Sequence, residues 1–580
     1  ADSSFIFGNV TPGAQLTING FDIPVHLAGG WLAFLPLQPG EFEFKVVAVL
    51  ESDTNSISLQ VRVPEPYRVP PRDSLVIVKS YRVPARNSGL MVGDWAEFSF
   101  RGTPDYHGYV ELSTDSVLTQ LTEGSPQPQS YWGRALFGEA DIPDSLLVRG
   151  VYGGTLKLAQ RQVADSTQIT FHLCRYPLNT LDRSGVDFEY DYQSCGCISS
   201  PNPVQFKVSD DDVFIVGELI DSVQIIRTGP RKGYLSIFQP RGLKFRITGY
   251  YQNYLRAELA PNQHAWLPDS SIKLLPPGAL LPKGEVVLVR TFAEDDQTRI
   301  SFDVGAQVPF RVEEDVVAGR LQLDLYNCTS NIDWIRYDRA DELVELIRWS
   351  QPEDGILRLT VDLNEPLWGY DCNYEGTQFN LILKHPPKLF RDLRNLRIVV
   401  DPGHSPDPGA IGPTGYEEKD ANLAIALKLA DILRERHAQV MLTREDNSSL
   451  GLHERPVLAD RYDADIFISV HNNALPDGVN PFFNNGSSTY YYHPHSKALA
   501  ESVQEQLVAD LGLGDYGLYH ANFAVSRPTG YLAILVESAF MMIPAQEQLL
   551  RDPDFQEKVA RAIADGLVNY LRAERALQQD

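Results

Sequence analysis

The hydrophobic period of this chain changes at Pro386. Before it, apolar residues alternate with polar ones, as in Glu41-Phe42-Glu43-Phe44-Lys45-Val46, Trp95-Ala96-Glu97-Phe98-Ser99-Phe100 and Arg299-Ile300-Ser301-Phe302-Asp303-Val304. Leu321–Leu325 and Leu357–Leu363 continue the pattern. A period of two places one face of each strand in a core and the other in water. With turn residues between the strands, this predicts sandwiches and small barrels. Arg339–Trp349 is the one stretch here that reads as a helix. After Pro386, short apolar runs alternate with amphipathic stretches. Leu396–Val400, Asp465–Val470 and Ala533–Val536 read as strands. Asp420 can cap a helix carrying Leu423, Leu427, Ala430 and Leu433 on one face, residues 497–511 repeat Leu499, Val503 and Leu507, and Phe555 to Leu571 form a last stripe. Strands alternating with helices predict an α/β unit with a mostly parallel sheet.

At about 100–200 residues per domain, 580 residues predict several units. Proline-rich joints at 63–71, 199–203, 275–284 and 385–388 divide the chain into four β modules, 1–63, 72–200, 204–275 and 285–385, and an α/β domain at 393–575. The net charge of −25, from 76 acidic and 51 basic residues, argues against nucleic acid as a partner. No apolar run reaches the roughly 18–20 residues that span a bilayer. The chain opens Ala1-Asp2-Ser3-Ser4, which fits a secreted protein whose leader was removed, with a trimmed cytosolic protein as the alternative. Five cysteines, with Cys174, Cys195 and Cys197 clustered and Cys328 and Cys372 in one later module, suggest two disulfides and one odd thiol.

Polar groups follow the strand ends of the α/β unit. The first strand runs into Asp401-Pro402-Gly403-His404, the second into His471-Asn472-Asn473, and the third into Glu537-Ser538. Ligands of open α/β sheets bind beyond the carboxyl ends of strands, so these groups can converge on one crevice. Glu417-Glu418 precedes the first helix. Two histidines and a carboxylate suit Zn²⁺ with a position left for water, and a further carboxylate can polarise that water. The spacing does not decide between Glu417 and Glu418, and strand-end histidines also serve structural roles. The helical His-Glu-x-x-His signature is absent, because His453-Glu454 is followed by Arg455-Pro456-Val457.

Residues 396–573 resemble the zinc-dependent N-acetylmuramoyl-L-alanine amidases, the third amidase family of bacterial cell-wall hydrolases. The stretches that carry the resemblance are Ile398–His404, Asp407–Gly412, Glu418-Lys419-Asp420-Ala421-Asn422-Leu423, Leu442-Thr443-Arg444, Ala464–His471 and Ala533–Glu537. The resemblance implies that His404, Glu418 and His471 bind Zn²⁺, that Glu417 is a bystander, and that Glu537 is the catalytic carboxylate. It implies peptidoglycan as substrate, cut between N-acetylmuramic acid and L-alanine, in the periplasm or cell wall. Where the family often has two glycines after its first histidine, Ser405-Pro406 stand here, and Pro406 is expected to hold Ser405 extended. The connection from Asn472 to Asn485 is too short for the helical plug that some relatives carry. Asn480–Asn485 reads as a tucked loop, with a substrate-side wall as the alternative, and His493-Pro494-His495 as surface residues beyond a strand.

Residues 285–385 loosely resemble the β-sandwich targeting (AMIN-like) domain that precedes such amidases, and Cys328 and Cys372 would staple it. Residues 204–275 resemble an SH3-like barrel, and 1–63 and 72–200 resemble immunoglobulin-like sandwiches. These modules would attach the enzyme to wall or envelope, or receive an envelope or activator protein. Two other readings are a non-catalytic envelope scaffold and a zinc peptidase that cuts within the stem peptide.

Overall fold

The structure is a computed structural model. It describes residues 3–115, 117–128, 147–178, 180–181, 189–210, 214–261, 263–294, 296–339 and 341–577. Its front part is β-rich, and its C-terminal part is α/β. Elements of the α/β part are numbered from its own start. Its strands are β1 (Arg397–Pro402), β2 (Gln439–Leu442), β3 (Ile466–Asn473), β4 (Ser487–Tyr491), β5 (Asp515–His520) and β6 (Leu532–Phe540). Its helices are α1 (Glu418–Glu435), α2 (Glu454–Tyr462), α3 (Lys497–Leu511), α4 (Pro544–Arg551) and α5 (Pro553–Leu577).

The sheet runs β2-β1-β3-β6-β4-β5, and all its pairs are parallel except β6 with β4. Both faces of β1 are buried, which explains its unbroken apolar run. Ile398 and Val400 face one core with Leu429, Leu507 and Ile563 from α1, α3 and α5. Val399 faces the other core with Ala459, Phe467 and Tyr531. Leu429 is fully buried, so truncating it to alanine would cost about 2–5 kcal/mol. Asp420 is not the cap of α1. The helix begins two residues earlier, and Asp420 accepts instead from Asn447 Nδ2 at 2.8 Å.

The front strands form sheets in sequence blocks. Residues 3–63 make a two-stranded and a four-stranded sheet, and 77–201 hold a seven-stranded sheet. A ten-stranded sheet joins strands between 88 and 274, so pairing bridges the joint at 199–203. Residues 284–384 fold into a five-stranded and a four-stranded sheet around one core.

Two expectations fail in this last block. The stretch expected as a helix at 339–349 holds most of the strand Val344–Glu353 instead, and Ala340 lies outside the described residues. That strand pairs along Ile356–Leu363 with register shifts at Leu346 and Ser350, which break its alternation and mimic a helical period. Cys328 and Cys372 are not bonded. They lie on the two opposite edge strands of the five-stranded sheet, with three strands between them, beyond the span of a disulfide. Cys174 and Cys197, by contrast, face each other on adjacent strands and are joined. Cys195, Cys328 and Cys372 are buried free thiols.

The front modules dock onto the α/β domain. Phe5 and Phe7 pack on Leu475, Phe540 and Met542, and Asn9 Nδ2 donates to Pro413 O at 2.9 Å. Trp368 enters the α/β core near Tyr570. Lys384 Nζ reaches Asp463 and Asp465 at 3.1 and 3.0 Å.

Candidate active site

Three neighbouring strand ends build the site. β1 delivers His404, β3 delivers His471, and β6 delivers Glu537, whose backbone is directly paired with that of His471. The fourth group, Glu418, is the first residue of α1. Its backbone N–H donates to Ala410 O at 2.8 Å, and its carboxylate accepts from Ala410 N at 2.8 Å and Asn422 Nδ2 at 3.1 Å.

The donor atoms of His404, Glu418 and His471 all lie within 4.8 Å of one another. His404 Nε2 is 3.0 Å from one carboxylate oxygen of Glu418, and His471 Nδ1 is 3.0 Å from the other. Among the described residues this is the one such His/Cys/Asp/Glu group. Glu417 turns away and pairs with Lys419 at 2.5 Å. Two glycines leave the necessary room. A Cβ on Gly403 would stand 2.3 Å from His471 Nε2, and one on Gly409, at φ +66°, would stand 2.4 Å from Glu418 Oε2.

The electrostatics are uneven across the crevice. Burial works to raise Glu418, but hydrogen bonds from His404 and His471 hold it well below the usual carboxylate range. Burial works to lower His404, yet Glu418 and Asp407 hold it above an ordinary imidazole. Glu537 goes the other way: burial and the charge of Glu418 push it well up. Its Oε2 is buried without a hydrogen-bond partner. A buried, unsatisfied carboxylate oxygen is unfavourable unless something polar completes it.

Beneath the site lies a scaffold that sequence reasoning did not assign. Asp401 is fully buried and accepts from Thr443 Oγ1, Ser469 Oγ and Arg455 Nη1 at 2.5, 2.7 and 2.7 Å. Arg444 donates to the carbonyls of Pro402 and Gly403, and Arg455 to that of His404. Two guanidiniums therefore grip the turn that presents His404, and burial lowers Arg444 to about 10. Buried Glu547 accepts from Thr414 N and Oγ1 at 2.9 and 2.7 Å and pins the loop leading to Glu418. Leu442-Thr443-Arg444 was visible as a stretch, but Asp401, Arg455 and Glu547 carried no spacing that marked their roles.

Three local expectations are corrected. Ser405 is not extended: His404 and Ser405 have φ of 65° and 82°, a backbone region that favours glycine. The Ser405 hydroxyl donates to Asn447 O and Ser448 O at 2.8 Å each, and Arg455 holds the His404 carbonyl, so the surroundings sustain the turn. The loop at 480–485 is not tucked, since Phe482 is 57% and Phe483 85% exposed. His493 and His495 are not surface residues. His495 is buried, and both pair with buried Glu314 of the preceding β module, at 3.2 and 2.9 Å. No helix lies between β3 and β4.

Residues 398–569 match the N-acetylmuramoyl-L-alanine amidase family. The probable cell wall amidase LytH of Staphylococcus aureus is 30% identical over 241 residues, which are 41% of this chain and 76% of LytH. The chain belongs to the N-acetylmuramoyl-L-alanine amidase family. The amidase LytC of Bacillus subtilis (strain 168) is 39% identical over 180 residues, 30% of this chain and 35% of LytC, so the chain spans about a third of that relative's length. Among solved structures, the amidase AmiC2 of Nostoc punctiforme is 35% identical, with a TM-score of 0.29, covering 30% of this chain and 97% of AmiC2. Among the described residues no helix of this amidase-family chain is long and apolar enough to cross a membrane.

Proposed function

We propose that the chain is a peptidoglycan hydrolase that cuts the amide bond between N-acetylmuramic acid and the L-alanine of the stem peptide. The observation that carries this reading is the convergence of His404, Glu418 and His471 beside Glu537 in a chain of the amidase family. Two imidazoles and a carboxylate within 4.8 Å of one another form a donor set suited to Zn²⁺, and Glu537, which feels the charge of Glu418, keeps a buried Oε2 without a hydrogen-bond partner. The residues therefore fit the metal, with His404, Glu418 and His471 as its ligands. Bound there, zinc supplies Lewis-acid polarisation of the amide carbonyl and a water of lowered pKa.

The chain's own residues do the rest. Asp407 Oδ1, at 2.5 Å from His404 Nδ1, fixes the tautomer that leaves Nε2 free to ligate. Glu537 accepts the proton of the attacking water on its carboxylate and returns it to the departing alanine nitrogen. A carboxylate held above its ordinary pKa is suited to both transfers, because it holds a proton more readily than an exposed carboxylate.

The similarity to a cell wall amidase supports action outside the cytoplasm. We read 1–63 and 72–200 as immunoglobulin-like, 204–275 as SH3-like and 285–385 as a targeting sandwich, together serving attachment to wall or to an envelope or activator protein. The test is digestion of purified peptidoglycan by the full chain, with and without chelator, followed by mass spectrometry. Chelator-sensitive release of intact stem peptides beginning at L-alanine is expected. Fragments cut within the stem would instead indicate a peptidase, and no release by zinc-loaded protein would indicate a scaffold.

A further inference from the structure

Away from the catalytic crevice, a cleft of about 1560 Å³ opens where three parts of the chain meet. Residues 222–239, the fourth β module and the α/β domain all line it. It exceeds the roughly 300–1,000 Å³ of ordinary small-molecule pockets, so it has room for an extended ligand.

Part of the lining is cationic and aromatic. Arg527 lies over the ring of Tyr234 at 5.5 Å, Tyr234 meets Tyr492 edge to face at 5.3 Å, and Tyr492 stacks on His520 at 5.0 Å. Arg527 Nε donates to Asn522 Oδ1 at 2.8 Å, and the half-buried guanidinium has no carboxylate partner among the described residues. Burial pulls its pKa down, as expected for a cation left without an anion. Another part of the lining is anionic. Asp371, from the fourth module, and Asp460, from α2, act on each other, and among the described residues neither has a cationic partner. Burial, then Asp371, raises Asp460 to about 6. The nearby cations are engaged elsewhere: Lys384 holds Asp463 and Asp465, and Arg311 holds Glu313 at 2.7 Å.

Unpaired charges of opposite sign in the lining of one cleft, together with aromatic faces, are a complement to a ligand that brings the missing partners. We propose that this cleft is a second binding site, for a short peptide carrying both a free carboxylate and a free amine. Arg527 holds the carboxylate, Asp371 and Asp460 hold the ammonium, and Tyr234, Tyr492 and His520 support the peptide. The stem peptide freed by the proposed reaction belongs to this chemical class. That link rests on the amidase reading, whereas the binding test does not.

The test is isothermal titration calorimetry of the full chain with the peptide Ala-Glu-Lys-Ala, with free termini. The expected result is one saturable site. N-acetylation with C-amidation of the peptide, Arg527→Gln and Asp460→Asn should each weaken binding by about tenfold or more. Arg527→Lys should recover part of the loss. Binding should persist in the His471→Ala chain, which separates this cleft from the catalytic crevice. Circular dichroism and an unchanged unfolding midpoint verify that the Arg527 and Asp460 variants are folded. The proposal is overturned if the peptide does not bind at millimolar concentration, if both cleft variants bind like the parent, or if His471→Ala abolishes binding. Preferential binding of an N-acetylglucosamine oligomer through the same residues would overturn the peptide assignment.

Discussion

The α/β domain meets a glutamate with a pair of histidines twice. In the crevice, His404 and His471 face Glu418. At the contact with the fourth module, His493 and His495 face Glu314. The residue types are identical and the nitrogen-to-oxygen distances are similar, yet the surroundings differ. In the second set the remaining ring nitrogens are taken up by the carbonyls of Arg527 and Tyr531, at 2.6 and 3.3 Å, and the two rings stack with centroids 5.5 Å apart. In the first set glycines hold space open beside the donor atoms. A His/His/Glu set is thus a latch when its nitrogens are all spoken for. It becomes a candidate metal site when donor atoms and room remain.

The sharpest way to break this contrast is to remove one member from each set. His471→Ala should lose both bound metal and hydrolysis, read by elemental analysis and product release, while His495→Ala should keep its metal. Glu537→Gln should retain metal and lower turnover by about 10²–10⁴-fold, and normal turnover in that variant would remove Glu537 from its role. At the latch, Glu314→Gln leaves two buried imidazoles without their counter-ion. It should lower stability by about 3–5 kcal/mol in denaturant titration, with metal content unchanged. Asp407→Asn should weaken metal binding by about 10–100-fold through loss of His404 orientation, measured by competition with a chelating dye.

The smallest effect is a pH dependence of the latch. Burial works to lower His495, but Glu314 holds it above an ordinary imidazole. Its contribution is therefore complete below about 6.5 and is lost as pH rises through the raised value. Burial works to raise Glu314, but the two histidines hold it well below an ordinary carboxylate. Its contribution is present above about 4.3 and is lost as pH falls through the lowered value. Tyr370 also faces this carboxylate and titrates far higher. The Tm of the parent should fall between pH 6 and pH 9 by more than that of Glu314→Gln. Equal falls would remove the latch as a titrating element.

Much of the α/β domain was legible because its elements obey local periodicities. The helix at 497–511, the strand around Ile466–Val470 and the last amphipathic helix all follow from apolar spacing. The misread elements were those whose local pattern tertiary pairing overrode. The strand at 344–353 lost its alternation to register shifts, and Asp420 yielded to Glu418 as the start of α1. Ser405 defied the rule for residues before proline because hydrogen bonds from its hydroxyl and from Arg455 support the turn.

By itself the sequence determined the change of architecture at Pro386, the main strands and helices that alternate after it, and which side chains stand at those strand ends. These depend on spacing along the chain, and spacing is what a sequence records. Spacing left Glu417 and Glu418 open until the tertiary structure set Glu418 against the histidines, as the resemblance implied, and only the tertiary structure decided that Glu314 reaches across to His493 and His495. It alone separated Cys328 from Cys372 and joined three modules around one cleft. Those outcomes depend on which faces of distant elements meet, and no local period encodes that meeting.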